Sequence, residues 1–192
     1  MMRRLDVPRV IPAIRRFEEW HDLDPWELAP KWVFILGGPL DAVAQATGLL
    51  QKRGWIVFVH VDMVRGLSTD GEGVKFFAEY AGPNGLISTH STVIGHAKRV
   101  GLIAIQRIFL LDSQSVGTGV LQVQSTRPVA IETLPGILPE ATRRVVREVP
   151  CPVIAGGLIT TVEEVHKMLD CGARGVSTSN RSLWQAAKEG MG

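Results

Sequence analysis

A chain of 192 residues, 45% of them hydrophobic and 21% charged, has the composition of an ordinary globular protein, which excludes disordered, collagen-like and coiled-coil chains. The length predicts a single domain over residues 1–192. With 21 Lys and Arg against 19 Asp and Glu, the formal net charge is +2, whereas a dedicated nucleic-acid-binding domain is usually more basic.

We expect neither a membrane span nor a secretion signal. The longest strictly apolar runs, residues 32–36 and 55–59, are much shorter than the ~20 residues of a transmembrane helix. The basic residues near the first methionine are not followed by the apolar segment of a signal peptide. Cys151 and Cys171 form no CxxC motif, so we interpret them as core thiols of a cytoplasmic protein.

Short apolar segments rich in β-forming residues recur along the chain. Their nearly continuous hydrophobicity is typical of strands that are buried on both faces. In chain order the predicted strands are residues 10–14, 32–38, 55–62, 85–90, 102–110, 128–136, 152–159 and 174–180.

The stretches between these segments carry helix signals. Asp24-Pro25-Trp26-Glu27 combines a cap, a proline in the first turn and a glutamate three residues after the cap. Thr160-Thr161-Val162-Glu163 predicts a capping box that starts at Thr160. Gly54, Gly101 and Gly172 follow predicted helices, where glycine commonly closes the last turn.

Alternating strands and helices predict an α/β fold with a parallel sheet. Eight strands are the number that closes a (β/α)8, TIM-type barrel, and we favour it over the alternative, an open doubly wound sheet. Because such barrels typically have about 250 residues, this one must be small and compact, with some helices short or missing.

In such a barrel, function is expected at the carboxyl ends of the strands, where this sequence is polar. His60 and Asp62 are two residues apart and should face the barrel mouth together, with Arg107 or His90 as the partner of Asp62. These side chains could bind ligand hydroxyls, do acid–base work, hold a metal with Glu132, or form a satisfied polar layer. No spacing motif assigns a metal or a cofactor. The candidate ligand-binding residues are Arg15, His60, Asp62, Ser88, His90, Arg107 and Glu132.

The last two predicted strands carry a candidate phosphate site. Barrels often bind phosphate with the loops after strands seven and eight and a helix N-terminus. The simpler alternative is a glycine turn followed by a helix cap. The candidate phosphate-binding residues are Gly156, Gly157, Ser177, Thr178, Ser179 and Asn180.

Two surface features bear on nucleic acid. Arg143, Arg144 and Arg147 form a basic patch, which we interpret as a solvated helix face with Glu140 paired to Arg144. A surface for single-stranded RNA needs exposed aromatic rings among basic residues. The tryptophans that could be exposed are Trp20, Trp26 and Trp184. In the sequence, none of them is interleaved with arginines.

Together these motifs resemble the glycerol uptake operon antiterminator family, whose members respond to glycerol 3-phosphate. The resemblance runs in family order from about residue 11 to residue 184. The stretches that carry it are Ile11-Pro12-Ala13-Ile14-Arg15, His60-Val61-Asp62 with Gly66-Leu67, Gly85-Leu86-Ile87-Ser88-Thr89, Ala104 to Asp112, Ile131 to Ile137, Ala155 to Ile159, and Thr178-Ser179-Asn180 with Leu183-Trp184.

The resemblance implies a small barrel without catalytic activity that binds glycerol 3-phosphate and leader mRNA and promotes transcription antitermination of glycerol-utilisation genes. Where the family tends to carry Arg or Lys, this chain has His90, which predicts weaker or pH-dependent anion binding. One alternative is a phosphosugar or polyol-phosphate epimerase or isomerase with the same phosphate site. Another is a divergent member that has lost RNA binding. The sequence is compatible with a homo-oligomer.

Overall fold

The computed structural model describes residues 6–15, 23 and 31–190. Eight parallel strands form a closed barrel, in which each strand pairs with the next barrel strand of the chain and the last pairs with the first. The predicted TIM-type barrel is therefore confirmed, and the alternative of an open doubly wound sheet is excluded. The barrel strands are β1 (Val10–Ile14), β2 (Trp32–Ile35), β4 (Ile56–His60), β6 (Gly85–Ser88), β7 (Ile103–Phe109), β8 (Ala130–Leu134), β9 (Val153–Gly156) and β10 (Gly175–Thr178).

Short helices surround the barrel, as the length of the chain required. The described helices are α1 (Leu40–Lys52), α2 (Gly71–Tyr80), α3 (Ser91–Arg99), α4 (Ser113–Thr126), α5 (Pro139–Glu148), α6 (Val162–Asp170) and α7 (Arg181–Lys188). The predicted helix start at Asp24-Pro25-Trp26-Glu27 lies outside the described residues. In the part of the chain that the structure covers, no helix is long and apolar enough to cross a membrane.

Several strands end earlier than the apolar runs predict. The run over 55–62 is a strand only to His60, after which Val61–Met63 forms a 3-10 turn. The run over 85–90 ends at Ser88, because His90 already caps α3. Two further short strands, β3 (Gly38–Pro39) and β5 (Val64–Arg65), pair beside the barrel. The polar residues just after these strands therefore do not alternate between two faces, as their spacing suggests.

The barrel interior is packed at the amino-terminal end of the strands. Trp32 and Phe34 contact Phe58 there, with ring centroids 4.5 and 5.6 Å apart respectively. Gly85 is needed at this level, since a Cβ on it would lie 2.6 Å from the Phe58 ring. Because side chains alternate along a strand, the residue two positions after Phe58 also points inward, at His60. The interior is thus apolar at one end and polar at the other.

Turns that lead from the helices back into the barrel use left-handed backbone. Gly54, Gly101 and Gly172 have φ values of 83°, 80° and 103°, which confirms their predicted role as helix closures. The turn after α4 differs, because Arg127 occupies the left-handed region there with a φ of 47°. The capping box of α6 is present but starts one residue later than predicted, at Thr161.

Candidate functional site

A buried ion pair forms the floor of the barrel mouth. Arg107 on β7 is the register partner of Glu132 on β8, and its Nε–H donates to Glu132 Oε2 at 2.8 Å. The hydroxyl of Ser177 on β10 donates to the other carboxylate oxygen. Glu132 is 2% exposed and Arg107 is 9% exposed. A carboxylate this deeply buried is tolerated because both oxygens accept hydrogen bonds.

Gly156 lies directly beneath this cluster rather than in the loop above it. A Cβ at this position would lie 2.5 Å from Ser177 Oγ and 2.6 Å from Glu132 Oε1. The absence of a side chain on β9 therefore lets Glu132 on β8 reach Ser177 on β10. The sequence identified the glycine as a backbone that a ligand can approach, whereas in the structure its Cα faces protein side chains.

His60 is a buried neutral base beside the ion pair. Its Nδ1 atom has no hydrogen-bond partner among the described residues. Burial lowers the pKa of the imidazole from 6.5 to about 4; the Arg107 guanidinium lowers it as well, against smaller opposing effects of Asp62 and Glu132. At neutral pH the ring is therefore uncharged.

Asp62 does not pair with Arg107 or His90, so that prediction is wrong. Its carboxylate accepts hydrogen bonds from the Ser88 hydroxyl at 2.6 Å and from the backbone N–H and hydroxyl of Thr89 at 2.8 Å each. Burial alone would raise the pKa of Asp62, but these hydrogen bonds hold it below 3.8. The reason for the different partner is the 3-10 turn after His60, which directs Asp62 to the neighbouring strand end.

His90 is an exposed residue at the start of α3. Its backbone N–H donates to the Ser88 hydroxyl at 3.0 Å, so the two residues form a turn and do not alternate on a strand as predicted. His90 lines neither of the two cavities described below. Its proposed contact with the ligand anion stays a prediction.

A cavity of about 320 Å³ opens above the ion pair, at the carboxyl ends of β1, β8, β9 and β10. It brings together most of the residues that the sequence singled out for anion binding. Its apolar wall includes Ala13, Leu36, Leu134 and Leu158, of which the sequence identified none as a ligand contact. The polar lining consists of Arg15, Arg107, Glu132, Gly157, Thr160, Ser177, Thr178, Ser179 and Asn180.

The loop after β9 has an unusual backbone at the edge of this cavity. Gly157 and Leu158 have φ values of 79° and 65°, and Leu158 is 68% exposed. The Gly136 N–H donates to the Gly157 carbonyl at 3.0 Å, and a Cβ on Gly136 would lie 2.7 Å from the Gly156 nitrogen. A non-glycine residue in left-handed conformation often marks a functional site. The glycine pattern of the sequence was a signal for this loop, but it did not single out Leu158.

Several predicted phosphate ligands already bond within the protein. The Thr178 hydroxyl donates to the Ile159 carbonyl at 3.0 Å and accepts from the Asn180 N–H at 3.1 Å. The Asn180 side chain caps α7 by accepting from the Ser182 N–H at 3.0 Å. In the described part of the chain, the Ser179 hydroxyl makes no such bond. Thr178 and Asn180 therefore shape the loop, whereas the Ser179 hydroxyl at the cavity wall is not used in this way.

A second cavity, of about 390 Å³, lies between the end of β7 and the start of α4. Thr89 and Arg107 line its inner side, and Asp112, Ser115 and Thr118 line its helix side. Sequence reasoning did not predict it, because all its lining residues except Thr89 come from residues 107–122, and only the packing of α4 against β7 opens a cavity between them. Arg107 lines both cavities.

Metal binding was one interpretation of His60, Asp62 and Glu132. Within the described residues, no group of three or more His, Cys, Asp and Glu side chains lies close enough to hold a metal ion. Cys171 is buried and Cys151 is half-buried, both as free thiols. Burial raises the pKa of both, that of Cys151 to about 11, which keeps them protonated.

Comparisons with known proteins agree on one family. A family model described as glycerol-3-phosphate responsive antiterminator matches residues 10–184. The crystal structure of a glycerol uptake operon antiterminator regulatory protein from Listeria monocytogenes str. 4b F2365 is 34% identical, covers 94% of this chain and 99% of its own, and has a TM-score of 0.87. A glycerol uptake operon antiterminator-related protein from Thermotoga maritima MSB8 is 32% identical over 93% and 98% of the two chains, with a TM-score of 0.81. The uncharacterized protein YgcP of Escherichia coli (strain K12) is 29% identical over 83% of each chain.

Proposed function

The chain belongs to the glycerol-3-phosphate responsive antiterminator family, and on that premise we propose that it binds glycerol 3-phosphate in the cavity above the Arg107–Glu132 pair. The liganded protein then binds leader mRNA and promotes antitermination of glycerol-utilisation genes. The observation that carries the proposal is the composition of this cavity, which combines arginines, a glycine backbone, a serine hydroxyl and a helix N-terminus around one small volume.

The phosphate group fits the side of the cavity formed by the loops after β9 and β10. The backbone at Gly157 is open to close approach, and Ser179 offers its hydroxyl. The Asn180 cap places the N-terminus of α7 at the same edge, where the helix dipole favours an anion. Arg15 lines the cavity and adds positive charge.

The glycerol hydroxyls fit the floor of the cavity. Only the Nε–H of Arg107 is bonded to Glu132 within the described residues, so the Nη N–H groups remain as donors to a hydroxyl oxygen. Leu36 and Leu134 provide the apolar wall beside them. This arrangement suits a small polyol phosphate rather than a large sugar.

The same contacts favour binding over catalysis. A general base must be free to accept a proton, whereas Glu132 is held by both Arg107 and Ser177. Schiff-base chemistry needs a lysine, and the described barrel strands contain none. Acid–base work by Asp62 would first require it to give up three hydrogen bonds. His60, the free neutral base of the barrel, does not line the ligand cavity, so a regulatory, non-enzymatic role is the simpler interpretation of this site.

Glycerol 3-phosphate is expected to stabilise the protein, and glycerol is not, because most of the polar lining offers donors to an anion. At about 100 times its dissociation constant, the ligand should add about 2.7 kcal/mol to the free energy of unfolding. For a chain of this size that corresponds to a rise in Tm of roughly 5–10 °C. Thermal denaturation with glycerol 3-phosphate, glycerol and inorganic phosphate measures it; equal shifts with glycerol and its phosphate ester would contradict the assignment.

A pair of matched variants locates the phosphate. Gly157 and Gly101 have nearly the same backbone, with φ values of 79° and 80°, and neither Cβ would be closer than 3.6 Å to its surroundings. Gly157→Val and Gly101→Val therefore carry similar backbone strain, but only the first places a side chain in the cavity. Gly157→Val should abolish the ligand-induced shift while Gly101→Val keeps it. A folded Gly157→Val protein with full affinity would place the phosphate elsewhere.

Binding of leader mRNA should be coupled to the ligand. If glycerol 3-phosphate tightens RNA binding by some factor, thermodynamic reciprocity requires RNA to tighten glycerol 3-phosphate binding by the same factor. The affinity for RNA should also fall as salt rises, because phosphate contacts release counterions. Titrations of labelled leader RNA with and without the ligand test both points. If the affinity for RNA does not change with the ligand, the proposed ligand-dependent regulation is wrong, although the chain still has the fold of the family.

A further inference from the structure

We propose that single-stranded RNA docks on the amino-terminal rim of the barrel, at the opposite end from the glycerol 3-phosphate cavity. By amino-terminal rim we mean the turns that lead into the barrel strands, with Arg9, Lys31, Arg53 and Arg174, together with the adjoining aromatic pair Phe76 and Tyr80. This proposal rests on the RNA-binding part of the proposed function and assigns the surface that performs it.

Four cations of the rim precede four neighbouring strands. Arg174 leads into β10, Arg9 into β1, Lys31 into β2, and Arg53 into the turn before β4, and these strands follow one another around the barrel. Backbone bonds place the turns side by side, since the Val176 N–H donates to the Arg9 carbonyl at 2.9 Å and the Ile56 N–H to the Lys31 carbonyl at 2.6 Å. With strands about 4.8 Å apart, the cations form a continuous arc.

These cations are available to a polyanion. Arg9, Arg53 and Arg174 are exposed and Lys31 is half-buried. None of the four forms an ion pair within the described residues. The basic patch on α5 differs, because Arg143 pairs with Glu140 and Arg144 with Glu148, which also corrects the expected pairing of Glu140 with Arg144. The rim therefore offers stronger attraction for phosphate groups than the α5 patch does.

The location of the cations is not explained by helix stability alone. Basic residues at helix C-termini and acidic residues at N-termini are ordinary because they complement the helix dipole. Arg9, Lys31 and Arg174 precede strands, however, and do not belong to the last turn of a helix. Among the described residues, the acidic ones at this end are Asp6, Glu79, Glu148, Asp170 and Glu189, whereas the helix starts at the ligand end carry Asp41, Asp70, Glu72, Asp112, Glu140, Glu163 and Glu164. The helix starts at the ligand end therefore carry more carboxylates than the rim does.

Arg127 adds a further exposed cation at the same end of the barrel. The equivalent turns after α1, α3 and α6 place a glycine in the left-handed region, whereas the turn after α4 places Arg127 there. An arginine in this conformation is strained relative to glycine, because its Cβ crowds the backbone. The Lys98 ammonium holds this turn by donating to the Thr126 and Arg127 carbonyls at 2.7 and 3.3 Å, and the turn presents the exposed Arg127 side chain at this end of the barrel.

The rim also has the exposed aromatic rings that the tryptophans do not provide. Trp184 is buried, and Trp20 and Trp26 lie outside the described residues. Phe76 and Tyr80 on α2 are 49% and 53% exposed, and their rings stack with centroids 5.3 Å apart and planes 10° from parallel. An exposed ring of this kind can stack on an RNA base.

The aromatic pair adjoins the basic arc. The Gln51 side chain, two residues before Arg53, donates to the Gly82 carbonyl at 2.8 Å, which joins the end of α1 to the turn after Tyr80. β10 links the rim to the ligand cavity, because Arg174 precedes its first residue and Ser179 follows its last. A ligand that holds Ser179 therefore acts on the strand that positions Arg174.

The test uses a fluorescein-labelled pool of 20-nucleotide RNAs of randomised sequence, with the full-length protein and with and without glycerol 3-phosphate. The rim variant combines Arg9→Gln, Arg53→Gln and Arg174→Gln. Loss of three phosphate contacts should reduce the slope of log affinity against log salt concentration by about 2. The control combines Arg65→Gln, Arg144→Gln and Lys167→Gln, which removes the same net charge outside the rim and should leave the slope unchanged.

Two single variants distinguish an effect on RNA binding from an effect on the stability of the fold. Arg127→Gly should weaken RNA binding and at the same time raise Tm by roughly 2–4 °C, because it relieves the left-handed strain. Tyr80→Ala should weaken RNA binding about tenfold through lost stacking. Leu121→Ala, at an exposed apolar residue of α4, is the matched control and should not change the affinity.

The outcomes distinguish the surface from the function. Salt slopes reduced by the rim variant and not by the control support the proposal. If the wild type binds RNA and both triple variants behave alike, the rim is not the docking surface, although the proposed function stands. If the wild type binds neither this pool nor leader RNA at 50 mM salt, with or without ligand, the RNA part of the proposed function and the rim proposal both fail.

Discussion

Glu132→Ala should lower the free energy of unfolding by about 3 kcal/mol or more. The change leaves the nearly buried Arg107 guanidinium without its counter-charge and the Ser177 hydroxyl without its acceptor. Breaking a buried ion pair from one side typically costs about 3–5 kcal/mol. The lower end of that range applies here because Arg107 lines a cavity that water can enter. Urea denaturation at pH 7 measures the loss.

Glu140→Ala is the matched control for this experiment. Glu140 also forms an ion pair with an arginine, Arg143, but its side chain is 84% exposed. Exposed pairs contribute little, so this change should alter stability by less than about 1 kcal/mol. Glu132→Gln should lie between the two, because an amide oxygen can still accept from Ser177. If Glu132→Ala cost no more than Glu140→Ala, the buried pair would have no structural role.

His60 should make the protein less stable in mild acid. Its pKa in the folded state is about 4, below the 6.5 of an unperturbed imidazole. Between these values the unfolded chain binds the proton and the folded chain does not, so stability falls as pH drops from 6.5 towards 4. At about 1.36 kcal/mol for each unit of pKa shift, the loss approaches about 3 kcal/mol.

The comparison of wild type with His60→Leu isolates this effect. Leucine is similar in volume and does not titrate, and the His60 Nδ1 atom has no partner to lose within the described residues. Asp62 has its pKa below 3.8, so the stability that it contributes is lost at lower pH than that of His60. From pH 6.5 to pH 4.5 the unfolding free energy of the wild type should fall relative to that of His60→Leu. Parallel curves over this interval would show that His60 is protonated as easily in the folded state as in the unfolded one.

Local sequence patterns determined the elements of the fold. Runs of buried β-forming residues marked all eight barrel strands, and glycines such as Gly54 and Gly101 marked the turns between them. These features depend on neighbours within a few residues, because strand alternation and left-handed turns are local properties. The sequence also predicted that Gly157 and Ser179 lie at the barrel mouth, where both line the cavity, since barrels place such loops at predictable strand ends.

Only the tertiary structure decided which polar groups meet. Ser177 reaches Glu132 across 45 positions of sequence, and Asp62 bonds to Ser88 across 26, in preference to the partners that spacing suggested. The 3-10 turn after His60 redirects Asp62, and closure of the barrel brings Arg9 beside Arg174. The composition and local period of a chain fix which residues lie on a buried face. The pairing of distant groups depends instead on strand register and on the residue at which each strand ends, and long-range packing sets both.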